Sequence, residues 1–322
     1  MMDNLEFGVS GFFEAAVLDK NGAEVRKYPI QKNAILNQAL QFMHNMYPSC
    51  AGGVDTLGNG YDVCYRGIGT LLPVSVTDTH LETLATGNVS SLKYNSYSNF
   101  EAPDGSYGDL IQLFIFPLNT VDETYTEIGL GRDGLYSGNG LFTRSKFVTP
   151  IEVLAEESLK ITYTLRIMSP PAVPDITIVH NGVTYTGTTV LTQVPQFRQS
   201  TYIFGSDPYA ILRWAHWYNG AWGHYYNTGG NFPKKYSGMS RSGDLSTYEC
   251  NPAVDGYMQW NIYNSVTSTS ANISASLSHT YDNANQTNGH LRIGLRTTFT
   301  PDLPLTNEEI FKLSYRVSFA RA

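Results

Sequence analysis

Apolar and polar residues alternate most strictly at positions 156–167. The apolar positions of this stretch are Leu159, Ile161, Tyr163, Leu165 and Ile167, and charged or threonine side chains stand between them. Successive side chains of a β-strand point to opposite faces of the sheet, whereas a helix would scatter these apolar residues around its circumference. The pattern therefore predicts a half-buried antiparallel strand.

A similar pattern returns near the end of the chain, at 308–319, with the same acidic pair, lysine, tyrosine and alternation. The match extends upstream, where Arg144 and Phe147 find counterparts in Arg296 and Phe299. In both copies a Thr-Pro pair follows, at 149–150 and at 300–301. Two unrelated strands are the alternative, but the shared order of strand, Thr-Pro break, acidic turn and strand favours a duplicated β-unit.

Shorter alternating runs predict further strands, at 12–18, 23–28, 110–116, 124–130, 141–147, 176–179 and 183–186. Two hairpin turns are expected at the Asn-Gly pairs 21–22 and 181–182, because Asn and Gly tolerate positive φ. Only 33–46 in the first half has helical spacing, with Asn33 as the expected cap and Pro48 beyond the end.

Three prolines, Pro170, Pro171 and Pro174, interrupt the strand pattern and predict a domain boundary. We therefore expect a mainly β protein with two tandem antiparallel β-sandwich (jelly-roll-like) domains. Residues 1–169 would hold the hairpin, the N-terminal helix and the first sandwich. Residues 170–322 would hold the second sandwich with a Trp/Tyr-rich loop insertion at 202–236, in which 207–218 could form a short helix.

Composition narrows the functional classes. Of the 322 residues 15% are charged, against about 25% in an average soluble domain. The net charge of −7 disfavours a nucleic-acid partner, which needs a basic surface. The acidic start is unlike a secretory signal, and the longest apolar run, 110–118, is about half a membrane span. These features predict a soluble protein made in the cytoplasm without membrane insertion, and three unpatterned cysteines predict neither a disulfide framework nor a zinc site.

The chain offers few catalytic patterns. Gly129, Gly131 and Gly134 spell GxGxxG, but a turn-like sequence follows where a dinucleotide site needs a helix, so a tight β-connection is the preferred interpretation. His216 and His224 stand across a glycine turn without flanking carboxylates, which disfavours a metal site. No nucleophile elbow or Walker loop is present. We therefore predict no catalytic, cofactor-binding or metal-binding residues, and a protein that is not an enzyme.

Aromatic residues are concentrated in the 202–236 segment. The candidate contact residues are Trp214, Trp217, Tyr218, Trp222, His224 and Tyr225. Such side chains can form a core or a subunit interface, or they can stack on sugar rings of a glycan. The segment contains one acidic residue, Asp207, so the paired carboxylates of a glycoside hydrolase are not local.

Several segments in order resemble virion proteins of tailed bacteriophages, namely tail, neck and baseplate appendage components. After the opening hairpin and helix, these segments are Arg66-Gly-Ile-Gly-Thr70, Thr77-Asp-Thr-His-Leu81, Tyr125-Thr-Glu-Ile-Gly-Leu130, Leu141-Phe-Thr-Arg144 and Leu159-Lys-Ile-Thr-Tyr-Thr-Leu165. The resemblance covers about residues 10–168. It implies β-sandwich building blocks that assemble as symmetric rings or attached fibres and are often non-enzymatic.

The expected function is accordingly a structural component of a phage particle, in the tail, collar or a baseplate appendage. It would be located in the virion, with itself and other virion proteins as partners. The alternative is a host receptor- or glycan-binding module of a tail fibre or adaptor. A capsid decoration protein and a polysaccharide depolymerase rank below both.

Overall fold

The computed structural model describes residues 4–44, 63–69, 73–100, 105–131, 140–170, 175–198, 224–226, 246–251, 253–265, 272–278, 290–300 and 310–322. The first half contains β1 (Asn4–Leu18), β2 (Glu24–Lys27), β3 (Gln31–Ile35), α1 (Asn37–His44), β4 (Val63–Gly67), β5 (Leu84–Phe100), β6 (Tyr107–Ile115), β7 (Glu123–Gly131), β8 (Leu141–Val153) and β9 (Ser158–Met168). The second half contains β10 (Ile176–His180), β11 (Val183–Arg198), β12 (His224–Tyr226), β13 (Ser246–Asn251), β14 (Tyr257–Ser265), β15 (Asn272–Ser278), β16 (His290–Thr300) and β17 (Ile310–Arg321).

The strands form a 12-stranded and a 5-stranded sheet. In the larger sheet the hydrogen-bonded path β1-β3-β8-β7-β4-β5-β6-β9 returns to β1, because β9 also pairs with β1. The smaller sheet has the order β10-β11-β16-β15-β12. The predicted mainly β class is therefore confirmed, with a curled antiparallel sheet and, among the described residues, one short helix.

The core lies inside this curled sheet, and β9 supplies its most regular face. Leu159, Ile161, Tyr163, Leu165 and Ile167 are all fully buried, as the alternation predicted. They lie beside the buried side chains of β1 and β6, the two strands that pair with β9 on either side. Burial of each such side chain contributes roughly 1.5–3 kcal/mol to stability, so this face is a main source of the folding free energy.

Both predicted hairpins form, but their turns differ. In the second, Asn181 and Gly182 both have positive φ (50° and 76°), as expected for a two-residue turn. In the first, only Gly22 does so, with φ of 85°. There the Asp19 carboxylate accepts the main-chain N–H groups of Asn21 and Ala23, which lengthens the turn beyond the predicted pair.

The helix prediction was wrong at its start. α1 begins at Asn37, and Asn33 is a buried residue of β3 whose side-chain amide donates to Thr143 Oγ1 (3.1 Å) instead of capping the helix. Pairing of Ala34 with Arg144 on β8 holds this stretch extended. A partner distant in sequence thus overrides the local helical spacing.

Several strand boundaries also differ from the predicted ones. β8 continues through the expected break at Pro150, although its pairing with β7 is interrupted between Lys146 and Ile151, where the proline lies. β4 and the long β5 were not predicted. β5 carries Ser, Asn and Gly among its apolar residues, so its sequence lacks a clear period-2 pattern.

The order of strand pairing recurs in part in the second half, in line with the predicted duplication; the pair β4–β5 has no counterpart β12–β13 among the described pairings. Five strand pairs of the first half have counterparts in the second half. They are β3–β8 with β11–β16, β4–β7 with β12–β15, β5–β6 with β13–β14, β6–β9 with β14–β17, and β7–β8 with β15–β16. The matched arginines occupy equivalent positions. Arg144 lies opposite Ala34 and Gly129, and Arg296 lies opposite Val190 and Ser274.

The two halves differ in how their last strand is covered. β9 pairs antiparallel with β1 over Gly8–Leu18, whereas β17 pairs in parallel with the start of β1, from Asn4 to Val9. Through this contact β13, β14 and β17 belong to the larger sheet. The boundary at residue 170 and the division into two tandem jelly-roll-like sandwiches stay predictions.

Replacing Leu165 by Ala should lower the free energy of unfolding by about 2–5 kcal/mol, because the side chain is fully buried between β1 and β6 and leaves a cavity. Urea unfolding followed by circular dichroism would measure it. The matched control is Val148→Ala on β8, where the side chain is 85% exposed and the change should stay within about 0.5 kcal/mol. Equal effects of the two substitutions would contradict the assignment of β9 to the core.

Candidate functional site

The aromatic candidates are mostly outside the described residues: this applies to Trp214, Trp217, Tyr218 and Trp222. His224 and Tyr225 lie in β12, and their main chains pair with Ala275 and Ser274 of β15. The short helix predicted at 207–218, Gly134 and His216 also fall outside the described residues. A glycan contact at the aromatic segment stays a prediction.

Residues from three of the quoted segments, Asp78, Glu127 and Arg144, meet in one group of charges centred on the buried pair Glu127 and Arg144. With the neighbouring, partly exposed Glu82 and Lys146 they form what we name the motif cluster. Arg144 Nε and Nη2 donate to Glu127 Oε2 at 3.0 and 2.7 Å, and Nη1 donates to Asp78 Oδ2 at 2.6 Å. Lys146 Nζ donates to Glu82 Oε2 at 3.4 Å on the side nearer solvent. Segments far apart in the chain are thereby joined at one point.

The motif cluster fixes the segment 73–83 onto the sheet. Glu127 and Arg144 lie on the adjacent strands β7 and β8, and the second oxygen of Glu127 accepts the main-chain N–H of Thr83 (3.0 Å). Asp78 in turn accepts the main-chain N–H of Ser75 at 2.9 Å. Both carboxylates thus bridge the guanidinium group and the loop backbone, which holds this long connection in one conformation.

The electrostatics of the motif cluster follow from its burial. Arg144 is 3% exposed and Glu127 is 0% exposed. Burial alone would lower the pKa of Arg144, but the hydrogen bonds and charges of Glu127 and Asp78 outweigh it, so this pKa is raised. Removal of one partner would leave a buried charge without compensation, which is strongly destabilising.

Two glycines of the Arg66-Gly-Ile-Gly segment make room for Glu127. A Cβ atom at Gly67 would lie 2.6 Å from the Thr83 carbonyl oxygen and 2.7 Å from Glu127 Cγ. A Cβ atom at Gly69 would lie 2.6 Å from Glu127 Oε1. The backbone therefore needs glycine at both positions, because it passes close to a buried carboxylate. The two glycines of this segment were the signal in the sequence for that close approach.

Arg66 is buried between two aromatic rings. Its guanidinium carbon lies 4.3 Å from the ring centre of Tyr125 and 4.8 Å from that of Phe116. Burial lowers the pKa of Arg66, and burial together with a hydrogen bond to Glu123 raises the pKa of the Tyr125 hydroxyl. Such stacked cations stabilise by roughly 2 kcal/mol when desolvated, so Arg66 serves as a packing element of the core.

The glycines at 129 and 131 lie in β7, whereas residues 132–139 of the predicted β-connection, including Gly134, are outside the described residues. A Cβ atom at Gly131 would lie 2.0 Å from the Gly140 carbonyl oxygen, and one at Gly129 would lie 2.9 Å from that of Thr143. These glycines therefore allow close approach of the β8 backbone.

The charged side chains of the motif cluster hold the 73–83 segment on the sheet. The carboxylates of Asp78 and Glu127 are occupied by Arg144 and by main-chain N–H groups. Within the described part of the chain, no group of three or more His, Cys, Asp or Glu side chains is arranged to hold a metal ion. Cys64 on β4 is a buried thiol whose pKa is raised by burial, so it stays protonated at neutral pH.

The fold and the motif cluster define a mainly β, sandwich-like protein with a duplicated order of strand pairing. No family model, no curated protein and no solved structure shows significant similarity to this chain. Over the described residues, no helix has the length and apolar character that crossing a membrane requires.

Replacing Arg144 by Met should lower the free energy of unfolding by about 3–5 kcal/mol, since Glu127 then stays buried without its cation. The double variant Arg144→Met with Glu127→Gln should cost less than the sum of the two single variants. Urea unfolding of all four proteins measures this coupling.

The control is Lys20→Met, which removes the exposed ion pair with Glu156 and should change stability by less than about 1 kcal/mol. Additive effects of the Arg144 and Glu127 substitutions would show that the two side chains do not act as a pair.

Proposed function

We propose that this chain is a structural component of a tailed-phage particle, in the tail, collar or a baseplate appendage, and that it assembles with itself and with other virion proteins. The ordered series of segments that resembles such proteins motivates the proposal. A pair of tandem β-sandwich units would suit this role, because rigid sheets present fixed surfaces for side-by-side assembly.

The observation that carries the proposal is the meeting of four of the quoted segments in the motif cluster and directly beside it. Gly67, Asp78, Glu127 and Arg144 come from four different segments and are used together to fasten a loop to the sheet. Segments that fasten a loop to a sheet in this way make that part of the fold rigid. It supports a role that depends on holding surfaces in place.

A second support is a surface at one end of the larger sheet, the loop-end patch, formed by the exposed side chains of Leu118, Val121 and Leu154. Main-chain hydrogen bonds link their two loops, from Asn119 N–H to the Glu157 carbonyl (2.7 Å) and from Glu156 N–H to the Asn119 carbonyl (2.9 Å). Because these loops are already ordered, contact with a partner would cost little conformational entropy. The loop-end patch is our candidate for an assembly contact.

Replacing Val121 by Glu should weaken self-association at least tenfold, because a charge replaces an apolar side chain of the loop-end patch that is 65% exposed. Sedimentation equilibrium across a concentration series would measure the dissociation constant, and circular dichroism would show that the fold is kept. The matched control, Val179→Glu, places the same charge on the exposed hairpin β10–β11 and should leave assembly unchanged.

Cryo-electron microscopy of particles that carry a labelled copy would test the location. A wild-type protein that is strictly monomeric and absent from purified virions would remove the proposal. Loss of assembly in both Glu variants would instead reject the loop-end patch as the contact.

The alternative, a receptor- or glycan-binding module, is favoured by the concentration of Trp214, Trp217 and Trp222 in one short segment. If this segment binds sugar, Trp217→Ala and Trp222→Ala should each reduce binding to host cells or surface polysaccharide at least tenfold, because stacking area is lost. Thermal unfolding midpoints close to wild type are the required control. Loss of folding with each substitution would place these tryptophans in a core, and turnover of polysaccharide by the wild type would favour a depolymerase.

A further inference from the structure

The last strand is held to the first half of the chain by more than its pairing with β1. Arg321 Nε donates to the Ile35 carbonyl (2.6 Å), and the main-chain N–H of Ala322 donates to the Val9 carbonyl (3.0 Å). Phe319 is buried beside Phe7, with ring centres 6.1 Å apart. We name this contact region between β17, β1 and α1 the joint.

His44, the final residue of α1, lies inside the joint and is fully buried. Its Nε2 accepts the main-chain N–H of Phe319 at 2.9 Å, and its Nδ1 lies 2.9 Å from the Ala253 carbonyl oxygen. A carbonyl can only accept, so Nδ1 carries the proton and Nε2 is bare. The geometry therefore requires the neutral ring in one tautomer.

The Ala253 carbonyl is itself fixed by a tight turn. It also accepts the main-chain N–H of Gly256 at 3.1 Å, and the Asn251 side chain accepts the N–H of Ala253 at 3.2 Å. A Cβ atom at Gly256 would lie only 1.9 Å from the Asn251 carbonyl oxygen, so the turn is as compact as glycine allows. His44 thus connects three elements: α1, the 253–256 turn and β17.

We propose that His44 is an acid-sensitive latch of the joint: the neutral ring holds β17 against the first half, and protonation releases it. A proton on Nε2 would place two N–H groups face to face, because the Phe319 N–H points at that nitrogen. The hydrogen bond to Phe319 would then be lost while the ring stays buried as a cation. Opening of the joint gives the charged ring access to water.

The surroundings set the direction of the pH dependence. Among the described residues, Asp255 in the turn is the charged group that acts on His44. The neighbouring β17 presents the main chain and ring of Phe319, and Arg321 reaches the opposite end of α1. Burial lowers the pKa of His44 below its ordinary value of 6.5, and the hydrogen bond to the Ala253 carbonyl and the charge of Asp255 oppose this only in part.

A histidine with a lowered pKa in the closed joint favours closure fully at a pH above 6.5, where the ring is neutral in both states. As the pH falls below 6.5, the open joint binds a proton and the closed joint does not. The equilibrium then shifts toward opening by up to about tenfold per pH unit, until the lowered pKa is reached.

Hydrogen exchange measured by mass spectrometry can test the latch on the full chain between pH 7.5 and 5. After correction for the intrinsic pH dependence of exchange, the peptide that covers β17 should lose protection by about tenfold for each pH unit below about 6.5. Peptides from β9 should keep theirs over the same range. His44→Gln retains a donor and an acceptor but does not titrate, so its β17 protection should not depend on pH.

Asp255→Asn tests the latch in a variant that changes only an exposed side chain. Loss of the negative charge lowers the pKa of His44 further, so the closed joint resists protonation to a lower pH. The pH at which opening levels off should therefore fall. Two results would overturn the latch: β17 protection that is independent of pH in the wild type, or the same pH profile in wild type and His44→Gln.

Discussion

The structure depends on the need to satisfy both hydrogen-bonding flanks of β1. One flank pairs with β9 over Gly8–Leu18, which closes the curled sheet around the core. The other flank pairs first with β17 and then with β3 and β2. Buried main-chain groups must find partners, so a strand with both flanks covered fixes the positions of four neighbours at once. The core of β9, the start of α1 and the position of the last strand all follow from this one element.

The sequence was most informative where local pattern and tertiary environment agree. β9 and β17 were predicted correctly as strands from their period-2 alternation, and in β9 the alternation matches the buried face directly. Asn33 was misassigned because helical spacing is a weak preference beside pairing with β8 and a buried amide contact to Thr143. β5 was not predicted because its own sequence has no clear alternation, and it is a strand through its pairing with β4 and β6.

The motif cluster shows the same limit for a site. Its segments could be quoted from the sequence, but the pairing of Asp78, Glu127 and Arg144 could not, because it depends on which strands become adjacent. Glycines give the best advance signal, since Gly67 and Gly69 have no room for a side chain beside the buried carboxylate. Of the aromatic candidates, only the strand position of His224 and Tyr225 is established. The buried charges and glycines thus explain how these segments hold the loop on the sheet.

The joint follows from a difference between the two halves of the chain in the partner of the last strand. In the first half the strand that leads into the hairpin covers β9; the corresponding stretch of the second half holds Pro170, Pro171 and Pro174. Proline has no N–H to give to a ladder, so that stretch is unsuited to cover β17 in the same way. An uncovered strand edge invites association with other chains, and Asn4–Val9 occupies this edge from the first half. The last strands of the two halves therefore differ: β9 pairs within the first half, whereas β17 pairs with β14 and takes a second partner from the start of β1. His44 lies at this contact, where its ring accepts the main-chain N–H of Phe319 on β17 and thereby ties the last strand to α1.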